Sequence, residues 1–528
     1  MRSITRAKCP WQAAGTLLLL VAGCGAQYRP VVTPLTPTGP ASQPSAYFVA
    51  LSSPSATAAG LVTIIDAFGD TVVAQATLSN GPFGFTLNSG GTEAYNLNGN
   101  STTTSVASGA QGSFTLDSYA ITVGTSTGGG LRTQDVSSST IPAQAYPFNA
   151  ISTTNSLYLI EPYIDPVTLQ STSLAAGKPA ANAGYVAQLT STSGTPSLQQ
   201  EIEVAPNPVN FAGTSGGPRV YSISQGNTAV GGGPLATADA CDTPSSVTTH
   251  GEADSIEVTT NTNSKQIPLG ICPVYGIESA DFQRAFILNR GGNGGTGAGA
   301  TGSITVINAQ SNLPDVVPST GLSTIPTGAG PVFADLYTPS SLLVTANYDS
   351  NTVSVINVPT DLYGNDGPNF GPAAPPITVG KGPVALTILR DGSKAYVANQ
   401  LDGTVSVVNL STFTVSKTIP LPSVTPTANN PLGLFRPKSI ASVYSTPAGK
   451  VYVSSPDSNA LVAINTQTDT VAASILLPAN AVSVYSSTQN VSSTTTLNSI
   501  VNSNSSGFGI PCIASDTSTF CTRVAPVQ

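Results

Sequence analysis

The sequence predicts an all-β fold built from repeated four-stranded antiparallel sheets, and three observations carry that prediction. Gly (51) and Pro (42) punctuate a 528-residue chain in which 40% of residues are hydrophobic and only 8% are charged, a balance that favours many short strands over long helices. Three segments, VTANYDSNTVSVIN (344–357), YVANQLDGTVSVVN (396–409) and YVSSPDSNALVAIN (452–465), align without a gap, each alternating apolar and polar residues on both sides of a turn. A proline followed by an aromatic or aliphatic marker also recurs along the chain. The prolines are Pro82, Pro147, Pro208, Pro273, Pro331, Pro383 and Pro437; the markers are Tyr95, Tyr158, Tyr221, Phe286, Val344, Tyr396 and Tyr452. In five of the seven pairs the spacing is 13 residues, as from 383 to 396, so the register is not accidental.

Each unit therefore reads as four strands, a to d. Strand a follows the proline, which is tolerated at a strand's first position because no ladder hydrogen bond is required of it there. Strand b carries the marker, and the turn after it ends at Asn351, Gly403 or Asn459, residue types that accept positive φ. Strand c ends at Asn or Asp (Asp66, Asp117, Asn308, Asn357, Asn409, Asn465), and strand d leads to the next proline. Four-stranded units repeating every roughly 50–65 residues predict a β-propeller. Counting Tyr47 with the seven later markers gives eight blades, with seven as the alternative if one middle unit is an insertion. The first unit, from Ala46, has strands b, c and d but no a. A closed ring hides its edges, so a C-terminal strand near AVSVYSS (481–487) is expected to complete it.

Outside the ring, residues 1–23 read as a secretory signal: Arg2, Arg6 and Lys8 precede an apolar run (13–22) too short for the roughly 20 residues that span a bilayer. A Pro/Thr-rich linker (24–44), the propeller (45–490) and a Ser/Thr/Asn-rich tail (491–528) follow. The net charge is −8, and loss of the signal makes the remainder more acidic. With no Lys/Arg cluster downstream, nucleic acid is excluded as a partner.

Two resemblances add to this reading. YVAN with TVSVVN (396–409) resembles the YVTN family of β-propeller repeats; the likeness is strongest in blades six to eight and weakest in three and four, where Tyr158 and Tyr221 are followed by LIE and SIS. It implies a secreted or surface-anchored propeller and no particular reaction. VAGC (21–24) resembles the lipobox of bacterial lipoproteins, which implies cleavage before Cys24 and diacylation of its thiol, a membrane anchor. Gly25 in place of an acidic residue leans toward the outer membrane.

Cys241, Cys272, Cys512 and Cys521 remain after Cys9 and Cys24, an even number compatible with two disulfides in three possible pairings. A Cys241–Cys272 bridge would pin the blade-four loop, leaving Cys512 and Cys521 to pair locally in the tail.

Function is sought in the loops. The connections from b to c are long in blades three, four and five, on the face that also carries the d-to-a connections, and long loops on a rigid frame are where binding residues concentrate. Candidate binding residues there are Glu161, Tyr163, Asp165, Asp242, His250, Asp254 and Asn293. His250 is the only histidine, which excludes a multi-histidine metal site; THGEAD (249–254) reads as a solvated loop. GAGATG (297–302) precedes a strand, not a helix, and reads as a hairpin loop. The segment 361–376, with Tyr363, Asp366 and Phe370, reads as a Pro/Gly surface loop. No cofactor or metal is expected.

The resulting expectation is a lipid-anchored envelope scaffold that binds an envelope protein or glycan. The alternatives are a hydrolase or lactonase-like enzyme using carboxylates such as Glu161, Asp165, Asp242 or Asp254, and a structural surface component. The sequence does not fix the oligomeric state.

Overall fold

The computed structural model describes residues 47–486, apart from internal stretches of which the longest are 101–112, 124–130, 141–149, 162–183, 227–249 and 292–301. Every regular element among the described residues is a strand. The strands form eight antiparallel sheets, and each sheet is one blade of a β-propeller. In blades 4 and 7 the four strands follow chain order from inner to outer: Pro208–Gly213, Arg219–Ser224, His250–Glu257 and Thr262–Ile271; and Pro383–Ile388, Lys394–Asn399, Thr404–Asn409 and Thr414–Pro420. In blades 2, 5 and 6 the outermost strand is split into two short pieces that pair with different parts of strand c.

The inner strands touch one another in succession from blade 2 through blade 8 and back to blade 1, which closes the ring. Blade 1 is assembled from both ends of the described chain. Ala481–Ser486 pairs antiparallel with Tyr47–Ser52, with Val49 opposite Tyr485 and Ala50 opposite Val484, as the missing strand a required. Rings join this sheet to both neighbours: Phe48 packs on Tyr452 of blade 8 (centroids 4.0 Å) and Tyr485 stacks on Phe85 of blade 2 (4.5 Å).

The repeated residues have distinct mechanical tasks. The marker tyrosine reaches across to the next blade's c-to-d turn, whose tip is a polar residue at positive φ. Tyr396 and Lys394 bind Asp469 (φ 52°), while Tyr452 and Lys450 bind Asp70 (φ 53°), the second pair latching blade 8 to blade 1. Tyr158 makes the same reach to Asn261. Blade 6 carries Leu342 and Val344 instead, and an apolar Phe413 sits at the facing turn. Burial first, then the Asp469 or Asp70 carboxylate, push the Tyr396 and Tyr452 hydroxyls far above their ordinary range, so both stay protonated donors.

The residue ending strand c caps its own turn: Asn409 accepts from Ser411 and Thr412, Asn465 from Gln467 and Thr468, and Asn308 from Gln310 and Ser311. Asp117 departs from that expectation. It lies in the middle of strand c of blade 2 (Ser113–Val123), fully buried, and accepts from the backbone and hydroxyl of Ser79. Asp366 and Phe370, read as part of a surface loop, depart too: Phe370 is buried against Phe286, and Asp366 pairs with the buried Arg284 of blade 5 at 2.9 Å, so these two side chains build the frame, while Tyr363 lies outside the described residues.

Candidate functional site

The b-to-c and d-to-a connections share one face, since backbone bonds join them: Gln400 and Leu401 donate to Gly382 and Lys381, and Gly226 to Pro206. On that face the ring is lopsided. In blades 6, 7 and 8 strands b and c are joined by 348–351, 400–403 and 455–459, whereas blades 2 to 5 use 101–112, 162–183, 225–249 and 290–302. Blade 2 thus belongs with blades 3 to 5, which the sequence reading had missed.

Beneath this face lies a polar staple that repeats from blade to blade. In blade 7 the amide of Asn399, at the end of strand b, donates to Thr404 (3.0 Å) and Ser406 (2.9 Å) of strand c. Asn347 does the same to Thr352 and Ser354 in blade 6, and Asn289 to Ser303 and Thr305 in blade 5. The inner strand-c residue of each set then accepts the backbone N–H of the residue three before the strand-a proline. These contacts are Gly380 to Ser406, Gly328 to Ser354 and Gly270 to Thr305. Glycine is needed there because a β-carbon on Gly380 would lie 2.6 Å from the Asn399 amide nitrogen.

Blade 4 keeps the positions and changes the chemistry. Ser224 stands for the asparagine, Glu252 and Asp254 for the two hydroxyls, and Ala205 for the glycine. Ser224 pairs with Glu252 across the strands, and Ser222 with Asp254. All four side chains are fully buried. They share the face of Val220 and Ile256, which pack against blade 3, because side chains alternate along a strand. Asp254 accepts from Ala205 N–H and the Asn263 amide, both at 2.7 Å. Burial raises its carboxyl well above the usual carboxylate range; the two donors oppose this, and the adjoining Glu252 reinforces it. Among the described residues, the Ser222 and Ser224 hydroxyls have no hydrogen-bond partner.

Two expected site residues are therefore placed in this seam or beside it, though not in a solvated loop: strand c begins at His250. His250 is exposed and its Nδ1 lies 2.9 Å from the Leu269 carbonyl. Asp254 is interior, as is Glu252. Glu161 ends strand b of blade 3, and Tyr163, Asp165, Asp242 and Asn293, with Cys24, Cys241, Cys512 and Cys521, lie outside the described residues. Among the described residues no three His, Cys, Asp or Glu side chains converge as a metal cluster. Sequence reading missed Glu252, Ser222 and Ser224 as a set; the available signal was the departure of blade 4 from the Asn, Thr, Ser pattern.

No family model matches the chain, and no curated protein matches it. Among solved structures, apo AztD from Citrobacter koseri is similar at 10% identity and a TM-score of 0.50, covering 84% of this chain and 97% of that one. The dihydro-heme d1 dehydrogenase NirN in complex with DHE is similar at 13% identity and a TM-score of 0.51, covering 84% and 75%. At these identities the likeness is one of fold.

Proposed function

We propose that this chain is a lipid-anchored envelope propeller, of the YVTN repeat type, that binds an envelope glycan or protein through the loops of blades 2 to 5. The observation that carries this reading is the lopsided face: long connections between b and c gather on four consecutive blades, while blades 6 to 8 close theirs in tight turns. The lipobox-like VAGC supplies the tether at Cys24, and the linker 24–44 would hold the ring up to roughly 60 Å from the membrane at about 3.1 Å per residue.

A Cys241–Cys272 bridge belongs to the same reading. Cys272 is buried and sits at φ 53°, where Gly81, Gly330 and Gly382 precede the strand-a prolines of other blades. A β-carbon in that left-handed position costs about 1–3 kcal/mol, which is consistent with a cysteine kept for its bond to the long blade-4 loop.

The test is binding of the mature chain to purified peptidoglycan and to a glycan array, beside a variant with 163–182 and 228–240 replaced by short turns. Saturable binding lost from a variant of unchanged melting temperature supports the reading. Absence of saturable binding by both, with Cys24→Ala leaving the protein in the membrane fraction, overturns it.

A further inference from the structure

We propose that Ser222, Ser224, Glu252 and Asp254 of blade 4 form a site for a hard divalent cation of the calcium class. In blades 5, 6 and 7 the same positions are neutral and stapled by an asparagine amide, so nothing about propeller geometry calls for acid there. Blade 4 instead buries two adjoining carboxyl groups on one strand face. None of the described ion pairs supplies a cation to Asp254, whose described partners are Ala205 N–H, the Asn263 amide and Glu252.

The second observation is independent of the acids. Ser222 and Ser224 are each 0% exposed, directly opposite Asp254 and Glu252 on the same face, and among the described residues their hydroxyls have no hydrogen-bond partner. An unpaired buried hydroxyl costs about 1–3 kcal/mol, and two facing two carboxyl groups are oxygen donors awaiting an acceptor of electron density. Calcium takes about 6–8 oxygens. Two carboxylates and two hydroxyls offer up to six, leaving one or two positions for water. The set holds no thiolate, and His250 stands exposed at the strand's start with Nδ1 on the Leu269 carbonyl, so the donors suit a hard ion better than zinc or copper.

Blade 2 provides the internal control. Asp117 takes the position of Asp254 and accepts from Ser79 in the same way, but the residue two before it is Thr115, not an acid. It holds the frame without offering a second carboxylate.

This inference goes beyond the proposed partner binding and does not rest on it. The experiment is calorimetric titration of the full chain, dialysed against chelator, with calcium chloride and separately with magnesium chloride. Wild type and Asp117→Asn should each bind one calcium ion. The pair Ser222→Ala and Ser224→Ala should weaken binding at least tenfold, and Glu252→Gln with Asp254→Asn should abolish it. Should the carboxamide variant fail to fold, the serine variant decides alone. Wild type that binds neither ion at millimolar concentration would show that the acid pair holds no cation, and calcium binding equal in wild type and the serine variant would place the ion elsewhere; either overturns the proposal.

Discussion

In blade 7, Asn399, Thr404, Ser406 and the Gly380 backbone satisfy one another just below the loop-bearing face; in blade 4 the same four positions hold Ser224, Glu252, Asp254 and the Ala205 backbone. The backbone plan is shared, down to the N–H three residues before the proline. Only the side chains differ. Blade 7 spends its polar atoms on holding the hairpin, whereas blade 4 leaves two hydroxyls idle and two acids side by side. The difference separates structural polarity from polarity that structure does not explain.

The comparison can be broken most severely at the staple. Asn399→Ala removes two hydrogen bonds and leaves Thr404 without its amide donor, while Ser406 keeps only the Gly380 N–H, so unfolding in urea should show a loss of about 2–4 kcal/mol. Gly380→Ala drives a β-carbon into the Asn399 amide and should cost about 2 kcal/mol, read from the same titration. Rewriting blade 4 as blade 7, with Ala205→Gly, Ser224→Asn, Glu252→Thr and Asp254→Ser, replaces buried acids by a neutral network and should stabilise the ring by about 1–2 kcal/mol. A destabilised product would mean that the acid pair supports the fold.

A pH-dependent effect sharpens the cost of burying an acid. Asp335 of blade 6 accepts from Ile388 and Leu336 N–H groups, yet burial pushes its carboxyl up to about 6, with these donors only partly opposing the shift. Below the unfolded pKa, near 3.8, both states hold the proton. Between that value and about 6 the folded state keeps a proton that the unfolded chain has released, so stability falls as pH rises through this window and levels off above it. Asp335→Asn should flatten the pH profile of melting relative to wild type, removing a change of about 3 kcal/mol across this window. Ser222→Ala removes a buried hydroxyl with no hydrogen-bond partner among the described residues and should stabilise the ring by about 1 kcal/mol. A loss instead would reveal a partner for that hydroxyl.

Much of the ring was legible. Prolines and tyrosines marked strands whose backbone geometry demands them, and the unpaired edge of Tyr47–Ser52 required the strand found at Ala481–Ser486. The seam in blade 4 was not legible, because strand periodicity is read from apolar alternation. His250, Glu252 and Asp254 fall on one face of a true strand, but their polarity resembles a loop. Asp117 hid for the same reason, and Phe370 because Gly and Pro around it signalled surface while its ring fills a gap beside Phe286. The lopsided loops were visible as lengths, though blade 2 escaped notice.

The strand that completes blade 1 also sets a timetable. Of the described strands, Tyr47–Ser52 is synthesised first and its partner Ala481–Ser486 last. Until then one sheet presents an unpaired edge and the latch from Lys450 and Tyr452 to Asp70 has nothing to fasten. Contacts that span nearly the whole chain form slowly and leave sticky intermediates exposed. A chain cut short by even its final described strand therefore advertises its incompleteness to proteases, and a finished one conceals it.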